Sequence, residues 1–108
     1  MKNVCLKLFA YEKQKHKGIL IYEWLLKLAK KNDIAGGNVF RAIAGYGHKG
    51  VIHEDRFYEL AGNVPIKISF ITDREKATSF INLLKEEKLN LFYEISEIEY
   101  GRIDDHKE

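Results

Sequence analysis

Hydrophobic and polar residues alternate along two segments of the chain, and such alternation is typical of β-strands with one buried face. The first segment runs from Lys2 to Ala10 and the second from Pro65 to Thr72. The apolar sets are Val4, Leu6 and Leu8 in the first, and Ile66, Ile68 and Phe70 in the second. A proline is tolerated at a strand start, so we predict the first and third strands of a sheet here.

Two other segments repeat apolar residues at helical spacing. After the polar stretch Tyr11–Gly18, one helix is predicted to end near Asn32, where Asn32-Asp33 followed by Gly36-Gly37 supplies the stop and turn. Its apolar residues are Ile21, Trp24, Leu25, Leu28 and Ala29. In the second, Thr72 and Glu75 have capping-box spacing, and Ala77, Phe80, Ile81 and Leu84 mark the buried side of a helix ending near Glu87.

The remaining strands are predicted at Asn38–Ala44 and Leu89–Tyr100, where a slip of the alternation around Ser96 indicates a β-bulge. The order strand, helix, strand, strand, helix, strand predicts an α+β fold of split-βαβ type, a four-stranded antiparallel sheet with two helices on one face. We expect residues 1–108 to form a single domain, with 104–108 as a frayed tail.

Net charge, cysteine content and the length of apolar runs limit the classes of function and the compartment that the sequence favours. The 108 residues carry 18 Lys and Arg against 16 Asp and Glu, and a net charge of +2 is too small to indicate nucleic-acid or membrane binding. Cys5 is the one cysteine and lies in an apolar run, which fits a reducing compartment. No apolar run has the length of a signal peptide core or a membrane span, so we expect a cytoplasmic protein.

The face of the sheet away from the helices is mixed in character. It is expected to carry Cys5, Lys7, Phe9, Lys67, Ser69 and Ile71. Such a face suits packing between copies in a symmetric oligomer, and an open, half-solvated sheet is the alternative.

A glycine-rich turn follows the predicted second strand. Gly45-Tyr46-Gly47 precedes His48-Lys49-Gly50, and Val64-Pro65-Ile66 then opens the next strand. These motifs, in this order, resemble the PII-like signalling proteins, and residues 2 to 100 resemble the subgroup "domain of unknown function 190". The resemblance implies a ferredoxin-like fold, a homotrimer, and a cleft between subunits that binds a small ligand, usually an adenine nucleotide. It also implies docking on a partner such as a membrane transporter or channel.

The nucleotide-binding residues implied at that cleft are Gly37, Arg41, Gly45, Tyr46, Gly47, His48, Lys49 and Arg56. Glycines let backbone N–H groups approach a phosphate, and basic side chains neutralise its charge. An ordinary turn at Gly45-Tyr46-Gly47 is the alternative, as is a cross-strand ion pair of Arg41 with Glu94 of the same subunit or of a neighbour. The family's second glycine-rich loop has no counterpart in the segment Lys85–Asn90, which contains two acids, and this disfavours a triphosphate.

Other chemistries find weaker support. His48 and His53 flank the loop without the spacing of a metal site, so no metal is expected. No serine lies in a nucleophile elbow, and no enzyme activity is predicted. The alternatives to a nucleotide-responsive regulator are a ligand-free oligomeric interaction module and an RNA-binding module of the same element order. An RNA-binding module needs aromatic rings at the positions of Lys67, Ser69 and Ile71, so no nucleic-acid partner is expected. An acylphosphatase-type hydrolase would need an arginine in Tyr11–Gly18, which has none.

Overall fold

A four-stranded antiparallel sheet organises the domain. The computed structural model describes residues 3–45 and 63–104. The sheet contains β1 (Asn3–Tyr11), β4 (Gly37–Arg41), β5 (Pro65–Asp73) and β6 (Phe92–Glu97); the remaining elements are β2 (Lys15–His16), β3 (Ile19–Leu20), α1 (Ile21–Lys31) and α2 (Arg74–Glu86). The strand order β4-β5-β1-β6 confirms the ferredoxin-like α+β prediction, with the long strands β1 and β5 at its centre.

The core lies between one face of this sheet and the two helices. Burial alternates strictly along β1 and β5, as the period-two pattern of apolar residues predicts. The buried apolar side chains are Val4, Leu6, Leu8, Ala10, Ile21, Leu25, Ala29, Ile34, Ile66, Ile68, Phe70, Ala77, Phe80, Ile81 and Leu84. The predicted strand and helix faces are therefore confirmed as the halves of one core.

Both helices end in a left-handed residue that is not glycine. After α1, Asp33 has φ 66° and Ile34 donates its backbone N–H to the Ala29 carbonyl at 3.0 Å. After α2, Lys88 has φ 60° and Leu89 donates to Leu84 at 3.3 Å. This is the Schellman arrangement, and it shows that Gly36 and Gly37 are not what stops the first helix.

Three details of the sequence prediction are wrong. The N-cap of α2 is Asp73, whose carboxylate accepts the Lys76 N–H at 2.8 Å, whereas Thr72 is buried at the end of β5. The strand β6 pairs with β1 in continuous register from Phe92 to Glu97, so it contains no bulge and simply ends earlier than predicted. The strand β4 likewise ends at Arg41, before the predicted Ala44.

The predicted polar stretch before α1 contains a small hairpin that the sequence analysis missed. Its two strands, β2 and β3, are joined by Lys17 and Gly18, which have φ of 54° and 83°. Positive φ at both turn residues is the requirement of a type I′ hairpin, and Lys-Gly is a weaker signal for it than Asn-Gly. The hairpin brings His16 against the end of α2.

Candidate functional site

The two ends of the segment 46–62 are held together by hydrogen bonds from neighbouring strands. Ala42 donates its backbone N–H to the Pro65 carbonyl at 2.9 Å, and Glu12 donates its own to Val64 at 2.8 Å. Lys13 donates its backbone N–H to the Asn63 side-chain oxygen at 2.8 Å. The ends of strands β1, β4 and β5 that carry Glu12, Ala42 and Val64 are therefore bonded to one another, and we call this part of the sheet the loop base.

Arg41 is, with Lys13, one of the cationic side chains of the loop base. It is the last residue of β4 and pairs with Ile66. Its guanidinium donates two hydrogen bonds to the Glu12 carboxylate, from Nε to Oε1 at 3.2 Å and from Nη2 to Oε2. The predicted pairing of Arg41 with Glu94 is wrong within the chain, because Glu94 lies on the other face and is 3.9 Å from Lys7. Arg41 itself lies on the edge strand β4, on the face of the sheet that the helices cover.

Both members of this pair are charged at neutral pH. The bond from Arg41 holds the pKa of the Glu12 carboxyl below its ordinary value, and the same bond raises the pKa of the Arg41 guanidinium. The sequence gives little hint of the pair, since 29 residues separate its members. Only the register of β1, β5 and β4 together brings them side by side.

Two predicted glycines have different environments. A Cβ on Gly37 would lie 2.5 Å from the Phe70 ring, so this glycine serves the packing of β4 over a core side chain. It also stands four residues from Arg41, about 13 Å along an extended strand, and the structure does not bring the two together. Among the described residues, no atom lies within 4 Å of a Cβ on Gly45.

The other predicted site residues lie outside the described residues: Tyr46, Gly47, His48, Lys49 and Arg56. His53, the second histidine considered for metal binding, also lies outside them. Within 3–45 and 63–104, no three His, Cys, Asp or Glu side chains gather as a metal-binding group. In the same ranges, neither length nor apolar character equips a helix to span a bilayer.

The segment after α2 is closed by internal contacts. His16 Nε2 lies 3.0 Å from the Glu87 carboxylate and Lys17 Nζ lies 3.2 Å from it, while the His16 ring packs edge-on against Trp24. These bonds, first that of His16, lower the pKa of Glu87. The glycine-free segment Lys85–Asn90 therefore contains the end of α2, and its Glu87 carboxylate is already paired with His16 and Lys17.

The face of the sheet away from the helices, which we call the open face, is ordered in cross-strand rows. Register places Phe40, Lys67, Phe9 and Phe92 in one row, with Lys67 Nζ 5.1 Å from the Phe40 ring centre and the Phe9 and Phe92 ring centres 5.5 Å apart. The next row contains Asn38, Ser69, Lys7 and Glu94. Phe40, Phe92 and Ile71 remain 51%, 49% and 44% exposed, which is much apolar surface for a sheet of this size.

Comparison with known proteins gives one family and a consistent set of structures. The family model DUF190, described as "Uncharacterized ACR, COG1993", matches residues 3–98. A UPF0166 protein of Aquifex aeolicus is 33% identical over 85 residues, which cover 79% of this chain and 81% of that protein. The UPF0166 protein MJ1524 of Methanocaldococcus jannaschii is 33% identical over 86 residues, with 80% and 79% covered.

Similar solved structures include those of CPII, a nitrogen regulatory PII-like protein from Thiomonas intermedia K12. CPII bound to ADP, AMP and acetate superimposes with a TM-score of 0.57 at 18% identity, covering 94% of each chain. CPII bound to ADP, AMP and bicarbonate gives 0.54 at 17% identity, covering 95% of this chain and all of the other. This likeness establishes a common fold.

The extent of the family match, the identity to the UPF0166 proteins and the shared fold agree with the resemblance that the glycine-rich turn indicated. The chain belongs to the DUF190 family and has the ferredoxin-like fold of PII-like proteins.

Proposed function

We propose that this protein is a PII-like regulatory protein that binds an adenine nucleotide at the loop base. One observation carries the proposal: Arg41 presents a guanidinium at the end of β4, on a fold that in CPII holds ADP and AMP. The predicted residues beyond Gly45 would extend the same site, with Tyr46, Gly47 and His48 in the turn and Lys49 and Arg56 as further cations.

The chemistry of the loop base favours a phosphate ligand. A guanidinium binds phosphate oxygens with two parallel N–H bonds, and backbone N–H groups of a glycine-containing turn add donors without steric hindrance. Because the segment after α2 is occupied by its own ion pairs, we infer a mono- or diphosphate in preference to a triphosphate.

We infer a homotrimer in which the open face is buried between subunits. The trimer itself is implied by the PII-like resemblance, and the half-exposed Phe40, Ile71 and Phe92 support burial of this face. In such an assembly, a ligand at the loop base would lie near a neighbouring subunit. A regulated partner, such as a membrane transporter or channel, follows from the same resemblance.

Binding is a better account of the described residues than catalysis. Cys5 Sγ lies 3.6 Å from Ser69 Oγ on the open face, but the histidine of the described ranges, His16, is engaged by Glu87 and Trp24 instead. A nucleophile needs a base within hydrogen-bond reach, and the hydrogen bonds of residues 3–45 and 63–104 give this pair none. The protein is accordingly proposed to act by changing conformation on binding a ligand.

The proposal is tested by calorimetric titration of ADP and AMP into the wild type and the Arg41→Gln variant. Loss of hydrogen bonds to a charged group should weaken binding by about tenfold to a hundredfold. Arg74→Gln is the matched control, because Arg74 pairs with Glu97 at 3.7 Å at the opposite end of the strands. It should bind like the wild type.

Two results would count against the proposal. Absence of binding to the wild type at millimolar ADP or AMP would remove the ligand from the function. Equal affinity of the Arg41→Gln and wild-type proteins would remove the loop base as the site.

The second candidate function is a ligand-free oligomeric interaction module, and the open face is the observation that favours it. Its exposed aromatic rings and paired charges suit contact between copies whether or not a nucleotide binds. A wild type that assembles but gives no binding heat with either nucleotide would support this function over the first.

A further inference from the structure

Glu12 occupies one of the two edges through which Arg41 can bind an anion with paired N–H bonds. An arginine binds carboxylates and phosphates through the same fork, in which Nε and one Nη donate in parallel. Here Nε donates to Oε1 at 3.2 Å and Nη2 donates to Oε2 of Glu12. The guanidinium thus already holds an anion of its own chain.

Both partners have neighbouring backbone hydrogen bonds, but the Glu12 side chain is the more buried of the two. The Glu12 backbone N–H is bonded to Val64 at 2.8 Å, and the next residue, Lys13, is bonded to Asn63. The Glu12 side chain is 27% exposed, against 67% for that of Arg41. Because the Arg41 side chain is long and the more exposed of the two, it is the member of the pair that can turn toward a new ligand.

We propose that Glu12 is a built-in competitor that sets the anion selectivity of Arg41 at the loop base. The inference rests on the nucleotide-binding function proposed above. A ligand carrying a single negative charge gains little by replacing the Glu12 carboxylate, because one monoanion merely exchanges for another. A phosphate group with two charges gains more binding free energy on the same replacement. Competition from Glu12 therefore favours the binding of phosphate esters over that of simple carboxylates.

The ionised state of Glu12 supports this role. Its pKa lies below the ordinary value because of the bond from Arg41, so the competing charge is present throughout the neutral range. The charge also lies where it would repel an approaching phosphate. Removing it should therefore strengthen phosphate binding, an outcome opposite to that of removing a structural support.

The test is calorimetric titration of ADP into the wild type, Glu12→Gln and Glu12→Ala. Both variants should bind on the order of tenfold more tightly, since an exposed ion pair and a nearby like charge are lost together. The matched control is Glu97→Gln, which removes a carboxylate from a carboxylate–guanidinium pair at the far end of the strands. Its affinity should equal that of the wild type.

The arginine must be the route of the gain. In an Arg41→Gln background, Glu12→Gln should therefore give no comparable increase, because no fork remains to be released. A full tenfold gain in that background would overturn the proposal and indicate a general charge effect.

The remaining outcomes separate this inference from the function on which it rests. If the wild type binds ADP and both Glu12 variants bind equally or more weakly, the inference is overturned and the proposed function stands. If neither the wild type nor any variant binds ADP, the proposed function fails and the inference fails with it.

Discussion

The two faces of the same sheet are built from alternate residues of the same strands, yet they differ in almost every physical respect. On the face covered by the helices, Leu6 and Ile68 are fully buried. On the open face, their neighbours Cys5 and Lys67 remain partly exposed, and aromatic rings stand beside charges in cross-strand rows. The covered face accounts for folding of the single chain, whereas the open face carries apolar surface that a single chain leaves unburied.

The alternation of residues along β1 and β5 therefore specifies two things, the packing of the core on one face and the cross-strand pairs on the other. A buried position tolerates only apolar side chains that fit, because cavities and overpacking both cost stability. The open-face rows tolerate mixtures, since each pair is worth only about 0.2–1 kcal/mol. Substitutions on the two faces should therefore separate the stability of the fold from its association.

The largest effect on folding is expected from Leu6→Ala on the covered face. It should lower the free energy of unfolding by about 2–5 kcal/mol, because a fully buried side chain leaves a cavity. Cys5→Ala, the adjacent residue on the open face, is the control and should cost less than about 1 kcal/mol. Urea unfolding measures both, and similar losses in the two variants would contradict the assignment of the faces.

A smaller loss is expected where β4 crosses the core. Gly37→Ala should cost about 1–3 kcal/mol, because the added Cβ would lie 2.5 Å from the Phe70 ring. Gly36→Ala adds the same methyl group one residue earlier, where no atom of the described part of the chain lies within 4 Å, and should change stability by less than about 0.5 kcal/mol. Equal unfolding midpoints for these two variants would show that Phe70 does not constrain β4.

Substitution of Ile71 on the open face should leave the folded chain intact and change its assembly. Ile71→Lys places a charge on a side chain that is 44% exposed, so the far-ultraviolet circular dichroism spectrum should match that of the wild type. Sedimentation should show a smaller species than the wild type, because a buried unpaired charge opposes association. An unchanged sedimentation coefficient would mean that this part of the face is not in the interface.

The smallest effect is expected from the polar contact on the covered side, between His16 and Glu87. The pKa of Glu87 is lowered from 4.5, so its contribution is present above that pH and is lost as the pH falls through the folded-state pKa. The difference in unfolding free energy between wild type and Glu87→Gln should therefore shrink between pH 7 and pH 3. A difference that persists unchanged at pH 3 would show that the carboxylate charge is not its source.

Sequence reasoning recovered the fold because the apolar alternation of β1 and β5 and the helical spacing of Leu25 and Ala29 are strong and mutually consistent. Its errors lie at element ends. Asp73 displaced Thr72 as the helix cap because the strand runs one residue further and buries Thr72. The apparent bulge near Ser96 reflected residues that follow the last strand.

The structure describes three of the predicted site residues, Gly37, Arg41 and Gly45, and their role in binding stays a prediction. Arg41 was identified on its basic character and its place in the motif, but its partner Glu12 depends on the register of three strands, which local patterns do not specify. Gly37 was grouped with the turn because glycines look alike in a sequence, and its packing against Phe70 appears only when β4 and β5 are paired. The roles predicted for Tyr46, Gly47, His48, Lys49 and Arg56 stay predictions.

The most direct test of the account is the molar mass of the wild type by light scattering at micromolar concentration, without added ligand. If the open face is an interface between copies, the mass should be three times the 12.6 kDa of the chain. A mass of one chain would contradict the account, since the exposed Phe40, Ile71 and Phe92 would then face solvent.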